Sequence, residues 1–501
     1  MSVHHRLRVR AALSKISKTD SIRCAKDLTW VARGALAAGA LAAVSVTLST
    51  PASAVPSYAR QTGQTCATCH TAFPELTPYG RQFKLMGYTA GGTRCNDGSA
   101  KSDEVQIPLS GMTLPTTLTS VRKQDNYNTF GAAPNVNNGA WFPGQTSLFV
   151  AGQLYCDVGA FAQMTYDPVG NVFTWDNFDI RYARSGVIDG TNIVYGITAN
   201  NNPTVQDVWN TAPAWMFPYI DSAVGITGGS YGTMLGTGAW GQQVGGVGGY
   251  VWINRSIYAE LSVYNSLSAR LLRDWNGGYD PAASRIDGSA PYWRLAYEWN
   301  WDKYSLMFGT FGMYADQRAA GEATPPGVTD ATLDVGFDTQ FQWITREHAV
   351  TVRAAYIWEN KKNSVENALA LASGSPLANS ADDLYDFNIS ATYIYDRKVS
   401  FTTGWFNTWG TTDVNLYGAG VTPGLIGSTA NGSPNSSYWK FDVAYMPFND
   451  GGPDFYPWLN ARIGVLYTHF DKFDGTATNI DQSGLKAVGN DSVFLYTWLA
   501  F

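Results

Sequence analysis

The sequence predicts an all-β fold: a transmembrane antiparallel β-barrel of about 16 strands, preceded by a small helical segment. Three observations carry this expectation. Charged residues make up only 15% of the 501 residues, while aromatics reach 14% and glycines number 51; about a quarter charged is usual for a soluble domain. Mean hydropathy is −0.16, far from that of a helical membrane protein, but suited to strands that are half apolar and half polar. From about Gln106 onward, apolar and polar residues alternate with period two, the pattern of a two-faced strand.

Residues 1–54 read as an export signal. Basic residues are frequent from Arg6 to Arg33, an apolar run extends from Ala35 to Leu48, and "PASA" offers a small-residue cleavage site after Ala54. The run is too short and too rich in alanine for a good helical span, which needs about 20 apolar residues. Residues 1–54 hold eight of the 34 basic and two of the 40 acidic side chains, so the remainder carries a net charge of −12. That balance argues against nucleic acid as a partner and suits attraction of cations. Cys24 leaves with the signal; Cys95 and Cys156 remain in a chain bound for an oxidising compartment, where pairing is open to them.

A single motif opens the next segment, Val55 to Glu104. Cys66-Ala67-Thr68-Cys69-His70 is the attachment pattern for c-type haem. Two thiols at this spacing add to the two vinyl groups of one haem, and the adjacent imidazole of His70 binds the iron from the proximal side. No second Cys/His pair occurs downstream to complete a zinc site, and no βαβ pattern surrounds the motif as a thioredoxin-like dithiol would require. The cofactor expected is therefore one covalently attached haem c. After the motif, Thr77 caps a helix with Pro78 at its first position. Tyr79, Phe83 and Met86 fall on one helical face, and Gly87 ends it. About 50 residues are too few for a free-standing cytochrome, so this segment is expected to act as a plug in the barrel. For the distal iron ligand, Met112 in "IPLSGMTLP" is preferred and Met86 is its rival; the remaining histidines, His348 and His469, fall in strand-like segments far along the chain.

The barrel is expected over residues 105–501. In "YVWINRSIYAELSVY", Val251, Ile253, Ile257, Ala259, Leu261 and Val263 share one face, and Asn254, Ser256, Glu260 and Ser262 the other. Trp293, Leu295, Tyr297 and Trp299 alternate with Arg294, Ala296 and Glu298; Val350, Val352, Ala354 and Tyr356 alternate with Thr351 and Arg353. Bulky apolar residues against charges suit strands between lipid and a wet lumen. Tight turns at Trp301–Lys303 and Asp396–Lys398 contrast with long connections at Ala319–Thr329, Asn363–Asp383 and Ala419–Ser437, the asymmetry of outer-membrane barrels. The C-terminal "SVFLYTWLAF" places Val493, Leu495, Leu499 and Phe501 on one face and ends on an aromatic residue.

"ARQTGQTCATCHTAFPELTPYGRQFKLMGYT", "DVGAFAQMTYD" with "FTWDNFDIRYA", and "NNNPTVQDVWNTAPAWMFPY" together resemble the fused cytochrome c–porins of the bacterial outer membrane, the family of iron-oxidising bacteria. The resemblance runs from about Pro56 to Phe501 and is weakest over Asn363–Asp383. It implies an iron oxidase integral to the outer membrane. Fe(II) outside the cell would be the electron donor, and a periplasmic cupredoxin or soluble cytochrome c the acceptor. Cys66 and Cys69 would hold the haem and His70 its iron. The resemblance transfers no Fe(II) site. Lumen acids such as Glu260 and Glu298 either concentrate the cation or are solvated charges balanced by Arg255, Arg294 and Arg353. Asn200–Asn202 with Pro203, Gln206, Asp207 and Trp209 form either a constriction near the haem or ordinary turns. Two alternatives remain open: a haem-bearing porin, and an electron conduit for a donor other than soluble Fe(II).

Overall fold

The structure is a computed structural model. It describes residues 55–92, 108–122, 139–168, 170–223, 225–238, 240–274, 284–318, 327–374, 377–417, 429, 431–456, 458–480 and 484–501. The expected leader and Cys95 lie outside them.

Alternating sequence becomes a closed antiparallel barrel of 16 strands. They are β1 (Leu109–Thr113, resumed at Thr117–Val121), β2 (Gly139–Trp141 with Thr146–Tyr155), β3 (Val158–Asp167), β4 (Val172–Ile188), β5 (Thr191–Asn200), β6 (Val244–Ile253), β7 (Ile257–Ser266), β8 (Arg285–Ile286 with Ala290–Trp301), β9 (Tyr304–Arg318), β10 (Asp330–Ile344), β11 (His348–Lys362), β12 (Ala381–Tyr395), β13 (Val399–Gly410), β14 (Ser436–Tyr445), β15 (Asn460–Lys472) and β16 (Ser492–Ala500). Each pairs with its neighbour in sequence. Closure comes from β1 on β16, with Met112 opposite Ala500 and Thr117 opposite Tyr496. A closed sheet leaves no unpaired edge, the condition for strands to cross lipid.

The two faces separate as the alternation predicts. Leu295, Tyr297, Phe308, Phe337, Phe401 and Leu495 are exposed on the outer wall, while Arg294, Glu298, Asp338, Arg353, Lys440 and Arg462 are buried inside. An exposed apolar belt around a polar interior is stable only with lipid as the outer solvent. The stretch Tyr250–Tyr264, read above as one alternating run, is a hairpin. Asn254 and Arg255 stand at φ 51° and 58°, and the Ser256 amide donates to the Ile253 carbonyl at 2.9 Å. Two left-handed residues match the twist of the flanking strands. The faces keep their parity through the turn, which is why the sequence pattern concealed it.

Tight turns at Asp302–Lys303 and Asp396–Lys398 gather at one end of the barrel, together with the end of β16. The connections leaving β5, β9, β11 and β13 gather at the other. The long connection after Asn363 is not wholly irregular, since it carries the helix Ser364–Ser373. In outer-membrane barrels the short turns face the periplasm.

Inside the wall lies the segment Val55–Gly92. It holds three short helices, α1 (Pro56–Thr62), α2 (Cys66–Cys69) and α3 (Pro78–Leu85). Its partners come from inward residues around the circumference: Ser110 on β1, Asp179 on β4, Glu298 on β8, Arg353 on β11 and Arg462 on β15. A segment touched from so many sides is enclosed by the barrel. The connection between β5 and β6 also folds inward. Val205, Gln206, Asp207, Val208 and Trp209 in it are all buried.

Candidate functional site

The opening motif and the helix after it are locked together by main-chain geometry. Thr77 caps α3 as expected, its Oγ1 accepting the Gly80 amide at 3.1 Å, and Pro78 fills the first helical turn. The same Thr77 hydroxyl donates to the Thr68 carbonyl at 2.6 Å, and the Thr77 amide donates to the Cys69 carbonyl at 2.9 Å. Gly80 lies so close to the motif that a Cβ there would overlap the Cys69 carbonyl. Gly80→Ala is therefore expected to cost about 1–3 kcal/mol through overpacking, read as a lower denaturation midpoint of the plug. An unchanged midpoint would show that α3 does not need this approach.

The expected apolar face of α3 is corrected by the structure. Phe83 is buried, but Tyr79 is exposed and Met86 only half-buried; the buried face carries Arg81, Phe83, Lys84 and Leu85. The cause is the surroundings. A plug in a polar lumen meets carboxylates and amides on the wall, so its charged residues turn inward. Arg81 donates to Glu298 at 2.6 Å, Gln342 at 2.7 Å, Gln340 at 3.1 Å and Ser305 at 3.1 Å. Glu75 accepts from Thr392 at 2.7 Å, Arg353 at 2.9 Å, Tyr219 at 2.9 Å and Thr71 at 3.1 Å. Burial alone would raise the Glu75 carboxyl; the Arg353 charge and these hydrogen bonds outweigh it and hold it below its ordinary value.

The lumen charges are likewise not the solvated set expected. Glu298 pairs with Arg81, Arg294 with Asp338 and Asp207, and Arg353 with Glu75, all buried. Glu260 accepts from Tyr258, Ser262 and Gln206, while Arg255 is exposed in its turn. The acids and bases fix the plug and the β5–β6 connection to the wall.

Cys66, Cys69 and His70 line one cavity, together with Tyr58, Phe73, Leu76, Phe83, Phe161 and Trp215. Its enclosed volume is ≈ 130 Å³. Both cysteines are free thiols, whereas Cys156 is disulfide-bonded. Burial raises the Cys66 thiol and pushes Cys69 to about 12. His70 is half-buried with Nδ1 lacking a hydrogen-bond partner, and desolvation pushes its imidazole down to about 4. Its ring is thus neutral, the form that ligates a metal. The donor set fits a c-type haem: two thiols at the required spacing, a neutral imidazole with an unsatisfied ring nitrogen, and a largely apolar enclosure.

The motif stands at the tight-turn end of the barrel. The Cys66 amide donates to Tyr456 Oη at 2.8 Å and the Ala67 amide to the Asn449 carbonyl at 2.9 Å. Asn449 in turn donates to the Arg397 carbonyl at 3.0 Å and to the Thr71 carbonyl at 3.3 Å. Tyr456 and Asn449, in the connection between β14 and β15, carried no signal in the sequence; only the fold brings them to the motif.

Of the two methionines offered as distal ligand, neither lines the cavity. Met112 is buried in an apolar cluster with Phe73, Phe149, Phe494 and Trp498, and Met86 ends α3. His348 stacks on Trp343 and meets the Tyr393 hydroxyl, and His469 meets Asp491. From the β5–β6 connection, Asp207, Asn210 and Trp215 reach the cavity, and the Leu76 amide donates to Asn210 Oδ1 at 3.1 Å. Lys84 also lines it, with Nζ donating to the Val205 carbonyl at 2.7 Å and the Asp207 carbonyl at 2.9 Å. Burial, with Arg181 nearby, pushes Lys84 down to about 7. Among the described residues, no group of three or more His, Cys, Asp or Glu is arranged to hold a free metal ion.

The fold and its two faces define the class: an integral outer-membrane β-barrel of porin-like architecture. No family model matches the chain, and no curated protein matches it. Among solved structures it is similar to a loop-deletion mutant of OmpT from Vibrio cholerae, at 10% identity over 78% of this chain and 99% of that one, with a TM-score of 0.41. It is also similar to the outer-membrane channel DcaP of Acinetobacter baumannii, at 11% identity over 78% of this chain and 96% of that one, TM-score 0.42. Salmonella typhi OmpF in complex with daunomycin shows 14% identity over 78% of this chain and 97% of that one, TM-score 0.41.

Proposed function

We propose that this chain is an outer-membrane iron oxidase. In this reading it takes one electron from Fe(II) outside the cell and delivers it to a periplasmic cupredoxin or soluble cytochrome c, with one c-type haem as its cofactor. The observation that carries the reading is the convergence of Cys66, Cys69 and His70, two free thiols and a neutral imidazole, on one cavity inside a membrane-spanning barrel. When bound there, haem supplies a one-electron couple and no atom transfer.

The chain's own residues supply the rest. The two thiols would provide the covalent links to haem, and His70 would ligate its iron. Tyr456 and Asn449 fix the motif at the tight-turn end, the side from which a periplasmic carrier approaches. At the other end, Asp330, Asp334, Glu359, Asp382 and Asp386 stand near the mouth-side ends of β10, β11 and β12. The net charge of −12 on residues 55–501 favours the approach of cations. Oxidation outside keeps insoluble Fe(III) out of the cell, and a redox centre within the wall removes the need for a carrier to cross lipid.

The test is an anaerobic visible spectrum of the oxidised protein in outer membranes, before and after Fe(II), at acidic and neutral pH. Sharp reduced c-type bands on Fe(II) addition are expected. A haem reduced by dithionite but by Fe(II) at neither pH would overturn the reading, leaving a haem-bearing porin or a conduit for another donor.

A further inference from the structure

Each of the other large cations buried around the plug has a carboxylate partner: Arg81 has Glu298, Arg181 has Asp179, Arg294 has Asp338, Arg353 has Glu75 and Arg462 has Asp442. Lys84 is different. It is 7% exposed, and among the described residues no carboxylate lies within ion-pair distance of it. Its Nζ meets only the Val205 and Asp207 carbonyls, and stands 4.6 Å from the centroid of the Trp215 ring. A neutral amine has two N–H groups and one lone pair. The two carbonyls account for the two N–H groups and leave the lone pair free; an ammonium would keep a third N–H with no oxygen to accept it.

Three other polar side chains lining the cavity, those of Tyr58, Tyr88 and Asp207, are committed. Tyr58 Oη donates to the Ala160 carbonyl at 2.9 Å and Tyr88 Oη to Asp179 at 2.7 Å. The Asp207 carboxylate accepts the amides of Trp209, Thr211 and Ala212 and pairs with Arg294. Among the described residues, no methionine and no second histidine lines the cavity.

We propose that Lys84 Nζ is the second axial ligand of the haem iron, completing with His70 a six-coordinate centre. The assignment rests on the haem reading above and deepens it. A primary amine is a harder donor than a thioether and does not stabilise ferrous iron as methionine does, so the potential lies below that of a His/Met cytochrome. An electron from Fe(II) is then favoured where hydroxide or other oxygen ligands stabilise the Fe(III) product. The substrate class is near-neutral or oxygen-chelated Fe(II) rather than the acidic aquo ion.

The experiment uses the full chain, extracted from outer membranes with its haem. The near-infrared magnetic circular dichroism of the ferric protein reports the axial pair directly, and a low-spin signature of imidazole with amine is expected. Lys84→Arg cannot ligate; it should convert the centre almost wholly to high spin, with haem still covalently attached on denaturing gels. Lys84→Met should return a low-spin centre with the thioether charge-transfer band and a raised potential. Met112→Leu and Met86→Leu should leave the spectrum unchanged. A thioether band in the unmodified protein overturns the proposal, and so does a Lys84→Arg protein that keeps the original low-spin signature, as it would if the lysine only balanced a haem propionate. Should Lys84→Arg fail to assemble, the spectrum of the unmodified protein decides alone. A chain with no covalent haem at all would instead overturn the functional reading on which this one rests.

Discussion

Replacing Glu75 by Ala is expected to loosen the plug from the barrel at a cost of about 3–5 kcal/mol, the usual penalty for breaking a buried ion pair by removing one partner. Glu75 is the only carboxylate contributed by the plug between Val55 and Gly92, and it is fully buried. Its Oε1 collects Arg353, Tyr219 and Thr392 from the wall and the β5–β6 connection, while Oε2 takes Thr71 from the plug itself. Without it the Arg353 guanidinium keeps the Trp209 carbonyl at 3.1 Å but has no compensating charge. The measurement is the denaturant midpoint for protease cleavage within residues 55–92, with barrel integrity tracked separately by heat-modifiable gel migration. The plug midpoint should fall and the barrel should persist. Pairing the change with Arg353→Met should recover much of the loss, since both charges then leave the interior together. If Glu75→Ala leaves the plug midpoint unmoved, the carboxylate is not what anchors it.

Replacing Cys66 and Cys69 together by Ser should abolish covalent haem while the barrel still closes. Each thiol supplies one thioether link, so a single replacement should leave haem attached through the other, with altered visible bands. The double change removes every covalent anchor and leaves only ligands to the iron. Neither cysteine belongs to a strand of the wall, and both are free thiols, so barrel closure between β1 and β16 does not depend on them. Haem staining of a denaturing gel and intact mass read the first outcome, and heat-modifiable migration the second. Haem still attached in the double variant, or absent from the unmodified chain, would remove the cofactor assignment.

The barrel is legible in the chain because a transmembrane strand shows its two solvents in its own sequence. Leu295 and Tyr297 face lipid and Arg294 and Glu298 face the lumen whatever the rest of the molecule does, so period two survives locally. Turn chemistry is legible where polar residues interrupt the alternation, as at Asp302–Lys303. It is hidden at Asn254–Arg255, where the faces stay in phase through the turn. The Cys66–His70 motif is visible in the sequence because its spacing is local, as is the Thr77 cap with Pro78 behind it.

Local pattern therefore accounts for the alternating wall, the Cys66–His70 constellation and the start of the helix after it. The placement of the plug's charges depends instead on groups far apart in the chain. An amphipathic reading of α3 assumes water on one side and an apolar core on the other. This helix lies inside a polar lumen, so Arg81 and Lys84 are buried and Tyr79 is exposed. The partners that make such burial tolerable, Glu298 for Arg81 and Arg353 for Glu75, stand more than 200 residues away. So does the Asn449–Tyr456 connection that fixes the motif at the tight-turn end. The energy of a buried charge is set by the groups that close around it. Closing a sheet into a barrel brings together residues whose separation along the chain carries no local pattern.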